Sequence, residues 1–232
     1  MESCYDPLMS LETCKKAAAE KALSFIKDGM IVGLGTGSTT FYFIEKLIKL
    51  CNEGLKIQAV ASSERSKDQA RKGEIPLIDI NSLKSLDIYV DGADEIDPEK
   101  RMIKGGGGAL VREKIAATMS REMVVIIDES KLVSKLGKRP LPVEIIPFGS
   151  TATIHQLELL GYKGVLRLKE GSPYITDNHN LIYDLHLDPE NTHPERDHQQ
   201  IISIPGVVDT GFFFDLAGPV IIGFRDGKVV VQ

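Results

Sequence analysis

The stretch Met30–Leu50, MIVGLGTGSTTFYFIEKLIKL, sets the expected fold of this chain. A short apolar segment runs into a turn of glycine, serine and threonine, and the turn runs into a segment with the apolar spacing of a helix. The same alternation of apolar strand and helix continues along the chain as far as Asp128. Strands that are apolar throughout and alternate with helices predict a mostly parallel sheet covered on both faces, which is a doubly wound α/β unit.

The regular alternation of predicted strands and helices changes from about Leu141. From there the predicted order is β-α-β-β-α-β, with the central strand pair turning at Asp177–Asn178, which is the order of a small ferredoxin-like α+β unit. The closing segment Gly218–Gln232 contains two apolar strands and is compatible with a return to the first unit. The predicted domains are a main doubly wound domain of residues 1–136 and 210–232, and a ferredoxin-like domain of residues 137–209.

Composition favours a small-molecule ligand. The 232 residues carry a formal charge of −5 with a pI near 5.6, which argues against nucleic-acid or membrane partners because both require clustered basic residues. No apolar run approaches the roughly 20 residues that span a bilayer, and no secretory segment is evident, so we expect a cytoplasmic protein. Cys4, Cys14 and Cys51 are odd in number and lack CxxC spacing, which predicts reduced thiols.

The first segment that could carry chemistry is GLGTGSTT, Gly33–Thr40, between a predicted strand and helix. Open α/β sheets bind ligands at such places. The hydroxyls of Thr36, Ser38 and Thr39 would lie beside free N–H groups of a helix start, which suits an anionic oxygen. The segment matches neither the GxGxxG dinucleotide pattern nor the phosphate loop GxxxxGK[ST]. A tight turn with a helix-capping hydroxyl would have the same composition.

The second segment is DGADEID, Asp91–Asp97, after a strand with an apolar end. Asp91 is expected at the sheet edge, with Asp94 curling back beside it. The spacing does not match the alternating oxygen ligands of calcium or magnesium loops, and the five histidines, all beyond residue 150, fit no helical ligand pair, so we predict no metal. Glu95 and Asp97 fit a solvated acidic turn and are predicted to be structural and to face water.

The third segment, KGGGGAL, places Lys104 before four glycines. Four glycines are unfavourable in backbone entropy, and a ligand lying against bare backbone is the simplest reason for them, with a flexible hinge as the alternative. Glu113 follows in the first turns of the next helix and would become a general base if a glycine-lined pocket desolvated it, although a surface glutamate fits equally well. Lys131, after another apolar strand, could reach a phosphate or lie on the surface.

The segments GLGTGST, YVDGADEID, MIKGGGGALVREK, DESK and LPVEIIPF, in this order, resemble type A ribose-5-phosphate isomerases. The likeness runs from about residue 16 to the end of the chain. It implies a Rossmann-like main domain, a homodimer or homotetramer, and interconversion of ribose 5-phosphate and ribulose 5-phosphate without cofactor or metal. Gly108, where we expect alanine in many relatives, is a small departure from the family pattern.

The resemblance also implies site residues. The general base is the glutamate of the REK segment, Glu113, which would carry a proton between C2 and C1 of the sugar, while Lys104 would stabilise the enediolate oxygen. Asp91 and Asp94 would hold sugar hydroxyls, assist ring opening or move hydroxyl protons. The implied substrate-binding residues are Thr36, Gly37, Ser38, Thr39, Asp91, Gly92, Ala93, Asp94, Lys104, Gly105, Gly106, Gly107 and Lys131.

Two other functions use a similar fold. A sugar-phosphate sensing module would bind the same ligand without turnover, and fold alone does not exclude it. The short N-terminal segment contains no separate DNA-binding unit, and Glu113 with Lys104 is more than binding requires. An amino-sugar-phosphate deaminase is expected to show different acid/base motifs.

Overall fold

The structure, a computed structural model, describes residues 10–232, so Cys4 lies outside the described residues. The helices are α1 (Leu11–Ala22), α2 (Ser38–Asn52), α3 (Glu64–Lys72), α4 (Leu110–Met119), α5 (Ser150–Leu159) and α6 (Pro194–Ile202). The strands are β1 (Ile31–Leu34), β2 (Gln58–Ala61), β3 (Ile88–Asp91), β4 (Glu95–Ile96), β5 (Met102–Ile103), β6 (Met123–Asp128), β7 (Leu141–Ile145), β8 (Gly164–Leu166), β9 (Leu168–Lys169), β10 (Ser172–Pro173), β11 (Leu181–Leu185), β12 (Val207–Thr210), β13 (Phe212–Phe213), β14 (Val220–Gly223) and β15 (Val229–Val231).

The largest sheet has six strands in the order β15-β14-β6-β3-β1-β2. All neighbours pair in parallel except the edge hairpin of β14 and β15. β6 shows why the strands of this sheet are apolar throughout. Val124 and Ile126 pack into the hydrophobic cluster on one face of the sheet, and Val125 and Ile127 pack into the cluster on the other face. The doubly wound α/β prediction is therefore confirmed, and the closing segment does return to this sheet.

A second sheet of four strands has the order β12-β7-β11-β8, with every pairing antiparallel. Together with α5 and α6, this is the predicted β-α-β-β-α-β unit. Its hydrophobic cluster also takes in Ile103 and Leu136, which lie before the predicted boundary at residue 137. Because one cluster spans that boundary, the exact domain limits stay a prediction.

A third sheet, β13-β5-β4, was not predicted. It joins β4, which lies within the DGADEID segment, and β5, which follows that segment, to β13, which follows the last strand of the second sheet. β4 and β5 have only two residues each, so no alternating pattern was available to reveal them. This small sheet connects the two predicted units.

The expectation that Glu95 and Asp97 face water is wrong, because the two residues are only 1% and 5% exposed. The Glu95 carboxylate accepts hydrogen bonds from the backbone N–H groups of Gly137 and Arg139, where the chain crosses toward the second sheet. Asp97 accepts from Arg101 Nε at 2.7 Å. Both acids therefore accept hydrogen bonds from donors that would otherwise lack an acceptor.

No helix within residues 10–232 is both long enough and apolar enough to cross a bilayer.

We predict that Glu95→Ala lowers the free energy of unfolding by about 2 to 4 kcal/mol, because two backbone N–H groups lose their acceptor. Urea denaturation followed by circular dichroism measures this loss. Glu99→Ala is the matched control, since the Glu99 side chain is 65% exposed, and it should change stability by less than about 0.5 kcal/mol. Equal stability of the two variants would contradict the assigned role of Glu95.

Candidate active site

One pocket collects the predicted segments at the carboxyl ends of β1, β3 and β6. All the predicted site residues except Asp91 line it. They are Thr36, Gly37, Ser38, Thr39, Gly92, Ala93, Asp94, Lys104, Gly105, Gly106, Gly107, Glu113 and Lys131. Segments separated by up to about a hundred residues in sequence meet here because parallel strands end at the same edge of the sheet.

Asp91 lies fully buried beneath the pocket. Its Oδ1 accepts three hydrogen bonds and its Oδ2 accepts two. The Oδ1 donors are the N–H groups of Gly92 (2.7 Å) and Thr36 (2.9 Å) and the Thr40 hydroxyl (3.2 Å); the Oδ2 donors are the Tyr89 hydroxyl (2.6 Å) and Lys104 Nζ (2.7 Å). These five donors occupy both oxygens, so Asp91 holds neighbouring groups in place and has little capacity left for a sugar hydroxyl.

The glycine turn after β1 is shaped by this carboxylate. A Cβ atom at Gly35 would come within 2.1 Å of Asp91 Oδ1, so only glycine lets the backbone pass. The next residue, Thr36, hydrogen-bonds through its hydroxyl to Ser62 (3.1 Å) and Ser63 (2.9 Å), at the end of β2. The sequence motifs did not indicate these two serines. The Ser-Ser-Glu segment at residues 62–64, which follows a predicted strand, was the feature that could have indicated them.

Lys104 is 3% exposed and its ammonium group contacts three acceptors or charges. Nζ lies 2.7 Å from Asp91 Oδ2, 2.6 Å from the Gly92 carbonyl oxygen and 3.4 Å from Glu113 Oε2. Burial acts to lower the pKa of Lys104, but the charges of Asp91 and Glu113 outweigh it and hold that pKa above its ordinary value. The lysine therefore remains a buried cation.

Glu113 lies in the first turn of α4 and is 2% exposed. Its Oε2 is within ion-pair distance of Lys104 yet accepts no hydrogen bond from any described residue. Burial raises the pKa of Glu113 to about 8; Lys104 offsets part of this effect, while Asp91 and Asp94 add to it. A carboxyl group with this pKa can both accept and release a proton near neutral pH.

The glycine-rich loop needs glycine for its backbone conformation at two positions. Gly105 has φ +95° and Gly108 has φ +84°, and residues that carry a side chain rarely adopt such backbone angles. At Gly106 a Cβ atom would come within 2.7 Å of Asp94 Oδ1, and the Gly106 N–H donates to Asp94 Oδ2 at 2.7 Å. The loop thus fixes Asp94 beside the pocket, and Asp94 Oδ1 accepts no hydrogen bond from the residues that the structure describes.

Lys131 lines the pocket from the short 3₁₀ helix that follows β6. Asp128 caps that turn by accepting from the Ser130 N–H at 3.0 Å. Burial lowers the pKa of Lys131, as do the positive charges of Arg139 and Lys15, and Asp94 opposes them.

Among residues 10–232, no three histidine, cysteine, aspartate or glutamate side chains lie together in a way that could hold a metal ion. The acids of the DGADEID segment accept hydrogen bonds from backbone, hydroxyl and cationic donors instead. That the reaction needs no metal or cofactor stays a prediction.

Comparisons with known proteins agree on one family. The family described as ribose 5-phosphate isomerase A (phosphoriboisomerase A) matches residues 58–227. Ribose-5-phosphate isomerase A of Protochlamydia amoebophila is 54% identical over 218 residues, which cover 94% of this chain and 94% of the relative. The protein of the same name from Bacillus mycoides is 47% identical and covers 92% and 96%, respectively.

Solved structures agree with the sequence relatives. A D-ribose-5-phosphate isomerase in complex with phospho-erythronic acid superposes with a TM-score of 0.91 at 40% identity, covering 97% of this chain and 99% of the other. Ribose 5-phosphate isomerase A from Methanocaldococcus jannaschii gives 0.90 at 39% identity, covering 96% and 99%. These values support the predicted fold class, a Rossmann-like main unit with a smaller α+β unit.

Proposed function

Since this chain belongs to the ribose 5-phosphate isomerase A family, we propose that its pocket isomerises the sugar phosphate with Glu113 as the general base. The protein is an aldose–ketose isomerase that interconverts D-ribose 5-phosphate and D-ribulose 5-phosphate, a reaction of the non-oxidative pentose phosphate pathway. The observation that carries the assignment of Glu113 is a buried carboxylate oxygen without a hydrogen-bond donor, next to a buried lysine.

The reaction moves one proton between adjacent carbons. In the open-chain aldose, Glu113 takes the proton from C2, next to the C1 aldehyde, and an enediolate forms. Glu113 then returns the proton to C1 while the hydroxyl proton on O2 moves to O1, which gives the ketose. One carboxyl group can perform both transfers because its raised pKa makes it a stronger base toward C2 and still lets it release the proton to C1.

Lys104 stabilises the negative oxygen of the enediolate. Its charge is already held in place by Asp91, so little reorganisation is needed when the negative charge develops. The contacts of Asp91 favour this positioning role over direct binding of the sugar. Asp94 lines the pocket and has one oxygen that accepts no hydrogen bond from the described residues. It is therefore suited to accept a hydrogen bond from a sugar hydroxyl and to assist ring opening.

The phosphate group is proposed to bind Lys131, with the N–H groups and hydroxyls at the start of α2. The N-terminal residues of that helix, Ser38 and Thr39, line the pocket together with Gly37. A helix N-terminus combines unpaired N–H groups with the positive end of the helix dipole, and both favour a phosphate.

A sensing module receives no support. It would bind the sugar phosphate without requiring an unpaired buried carboxylate beside the ligand, and the relatives are named as isomerases.

We further propose a cytoplasmic homodimer or homotetramer. Exposed apolar side chains on the second unit, including Phe148 at 90% and Leu159 at 66%, support a contact between subunits.

Glu113→Gln is predicted to lower kcat by about 10²- to 10⁴-fold, because the amide keeps the shape of the side chain but cannot accept the C2 proton. Ketose formation from ribose 5-phosphate, measured in excess chelator, tests this. Glu45→Gln on the exposed face of α2 is the control and should retain wild-type turnover. Near-normal turnover of Glu113→Gln would remove Glu113 as the base, and loss of wild-type turnover on chelation would reveal a required metal.

The pH dependence of kcat/KM is predicted to follow the ionisation of Glu113. The base must be ionised to accept a proton, so kcat/KM should fall as the pH drops below about 8. Asp94→Asn removes a negative charge that raises this pKa, and the acid limb should move to lower pH. The titration of the substrate phosphate is common to both enzymes, so the difference between their profiles belongs to the protein. Identical limbs near pH 4.5 would contradict the prediction.

Lys131→Ala is predicted to raise KM by about tenfold or more, because a charged hydrogen bond to the phosphate is lost. Lys135→Ala is a close control, since Lys135 lies four residues further along and pairs with Glu190 on the surface. Steady-state kinetics of the two variants against ribose 5-phosphate provide the measurement. An unchanged KM in Lys131→Ala would exclude this lysine from phosphate binding.

A further inference from the structure

We propose that Arg167, from the small second unit, is a positioning residue for the isomerase reaction. Its role is to orient two successive peptide groups of the glycine-rich loop so that their N–H groups serve the active site. Arg167 lies between β8 and β9, outside every motif that the sequence indicated. The proposal deepens the proposed function and rests on it.

The guanidinium group of Arg167 bridges the second unit and the loop. Its Nη1 donates to the carbonyl oxygens of Gly105 at 3.0 Å and Gly106 at 3.2 Å. Its Nε and Nη2 donate to the two oxygens of Asp184 on β11, at 2.8 Å and 2.5 Å. This bidentate pair fixes the plane of the guanidinium and therefore the direction from which the carbonyls are held.

The opposite sides of the same peptide groups face the site. In a trans peptide the N–H points away from the C=O, so carbonyls directed toward Arg167 direct their N–H groups away from it. The first N–H, of Gly106, donates to Asp94 Oδ2 at 2.7 Å. The second, of Gly107, finds no acceptor among the residues that the structure describes, although Gly107 lines the pocket. One N–H thus fixes an acid, and the other is available to the substrate.

A free backbone N–H of this kind suits the negative oxygen that develops during isomerisation. Donors that are oriented before the reaction stabilise such an oxygen most effectively. A cationic donor on the carbonyl side also polarises the peptide group and strengthens its N–H as a donor. Arg167 would thereby add a second stabilising group to the charge of Lys104, without touching the substrate itself.

Tyr174 provides an internal contrast. Its hydroxyl donates to the Gly107 carbonyl oxygen at 3.3 Å. The N–H of that peptide group belongs to Gly108 and already donates to the Gly105 carbonyl oxygen at 2.9 Å. Tyr174 therefore contacts the same loop from the same unit but controls no N–H that is available to the substrate.

The test compares Arg167→Ala and Arg167→Lys with Tyr174→Phe and with Arg196→Ala, which removes an exposed arginine from the same unit. We expect Arg167→Ala to lower kcat by about 10- to 100-fold with little change in KM, since the donor is displaced and not deleted. Affinity for phospho-erythronic acid, whose carboxylate resembles the enediolate in charge, should fall by the same factor as kcat. Added guanidinium ion, far below denaturing concentrations, should restore part of the activity.

Arg167→Lys keeps the positive charge but lacks the several N–H donors of the guanidinium group, so we expect a kcat between those of Arg167→Ala and the wild type. This variant also tests the proposal if Arg167→Ala does not fold. Tyr174→Phe and Arg196→Ala should stay close to wild type. The proposal is overturned by an unchanged kcat in both Arg167 variants, by an effect confined to KM, or by an equal loss in Tyr174→Phe. Any of these results with an active wild type and an inactive Glu113→Gln leaves the proposed function intact, whereas an inactive wild type overturns both.

Discussion

The buried contact among Asp91, Lys104 and Glu113 is the constraint on which the rest of the site depends. Two carboxyl groups share one ammonium group with almost no access to water. Breaking a buried pair by removing one partner leaves an uncompensated charge, so each member restricts the others. The asymmetry between the acids follows from their donors: Asp91 has five, while the Oε2 atom of Glu113 has none among the described residues. Asp91 is therefore held in one orientation and positions the lysine, and Glu113 is left able to exchange a proton.

The glycines are explained by the same constraint. Gly35 passes close to the Asp91 carboxylate, and Gly106 passes close to Asp94, where any side chain would collide with an acid. Gly105 and Gly108 instead adopt backbone conformations that L-amino acids avoid. Bare backbone is thus required by two different physical causes within one pocket. Neither cause is flexibility, since Arg167 and Tyr174 hold the loop from outside.

Much of this architecture could be predicted because it rests on local pattern. Buried parallel strands such as β6 are apolar on both faces, and the residues at their carboxyl ends can be located from sequence alone. The long motifs then identified the family and brought the pocket-lining residues together. Contacts between distant segments were not accessible in this way. The acceptor role of Glu95 depends on where residues 137 and 139 cross it, so the local pattern led to the wrong expectation of an exposed acidic turn. The donors of Asp91 come from three separate segments, so the sequence could not show which groups its carboxylate holds.

The place of β14 in the main sheet bears on how the protein is made. β14 lies beside β6, yet in sequence the whole second unit separates them. During synthesis the chain emerges from its N-terminal end, so β6 leaves the ribosome with one edge unpaired and stays so until nearly a hundred further residues have been added. An apolar strand with an open edge is prone to pair with other chains. The intervening unit, whose strands are close in sequence, can fold during this interval, and the catalytic sheet is completed last.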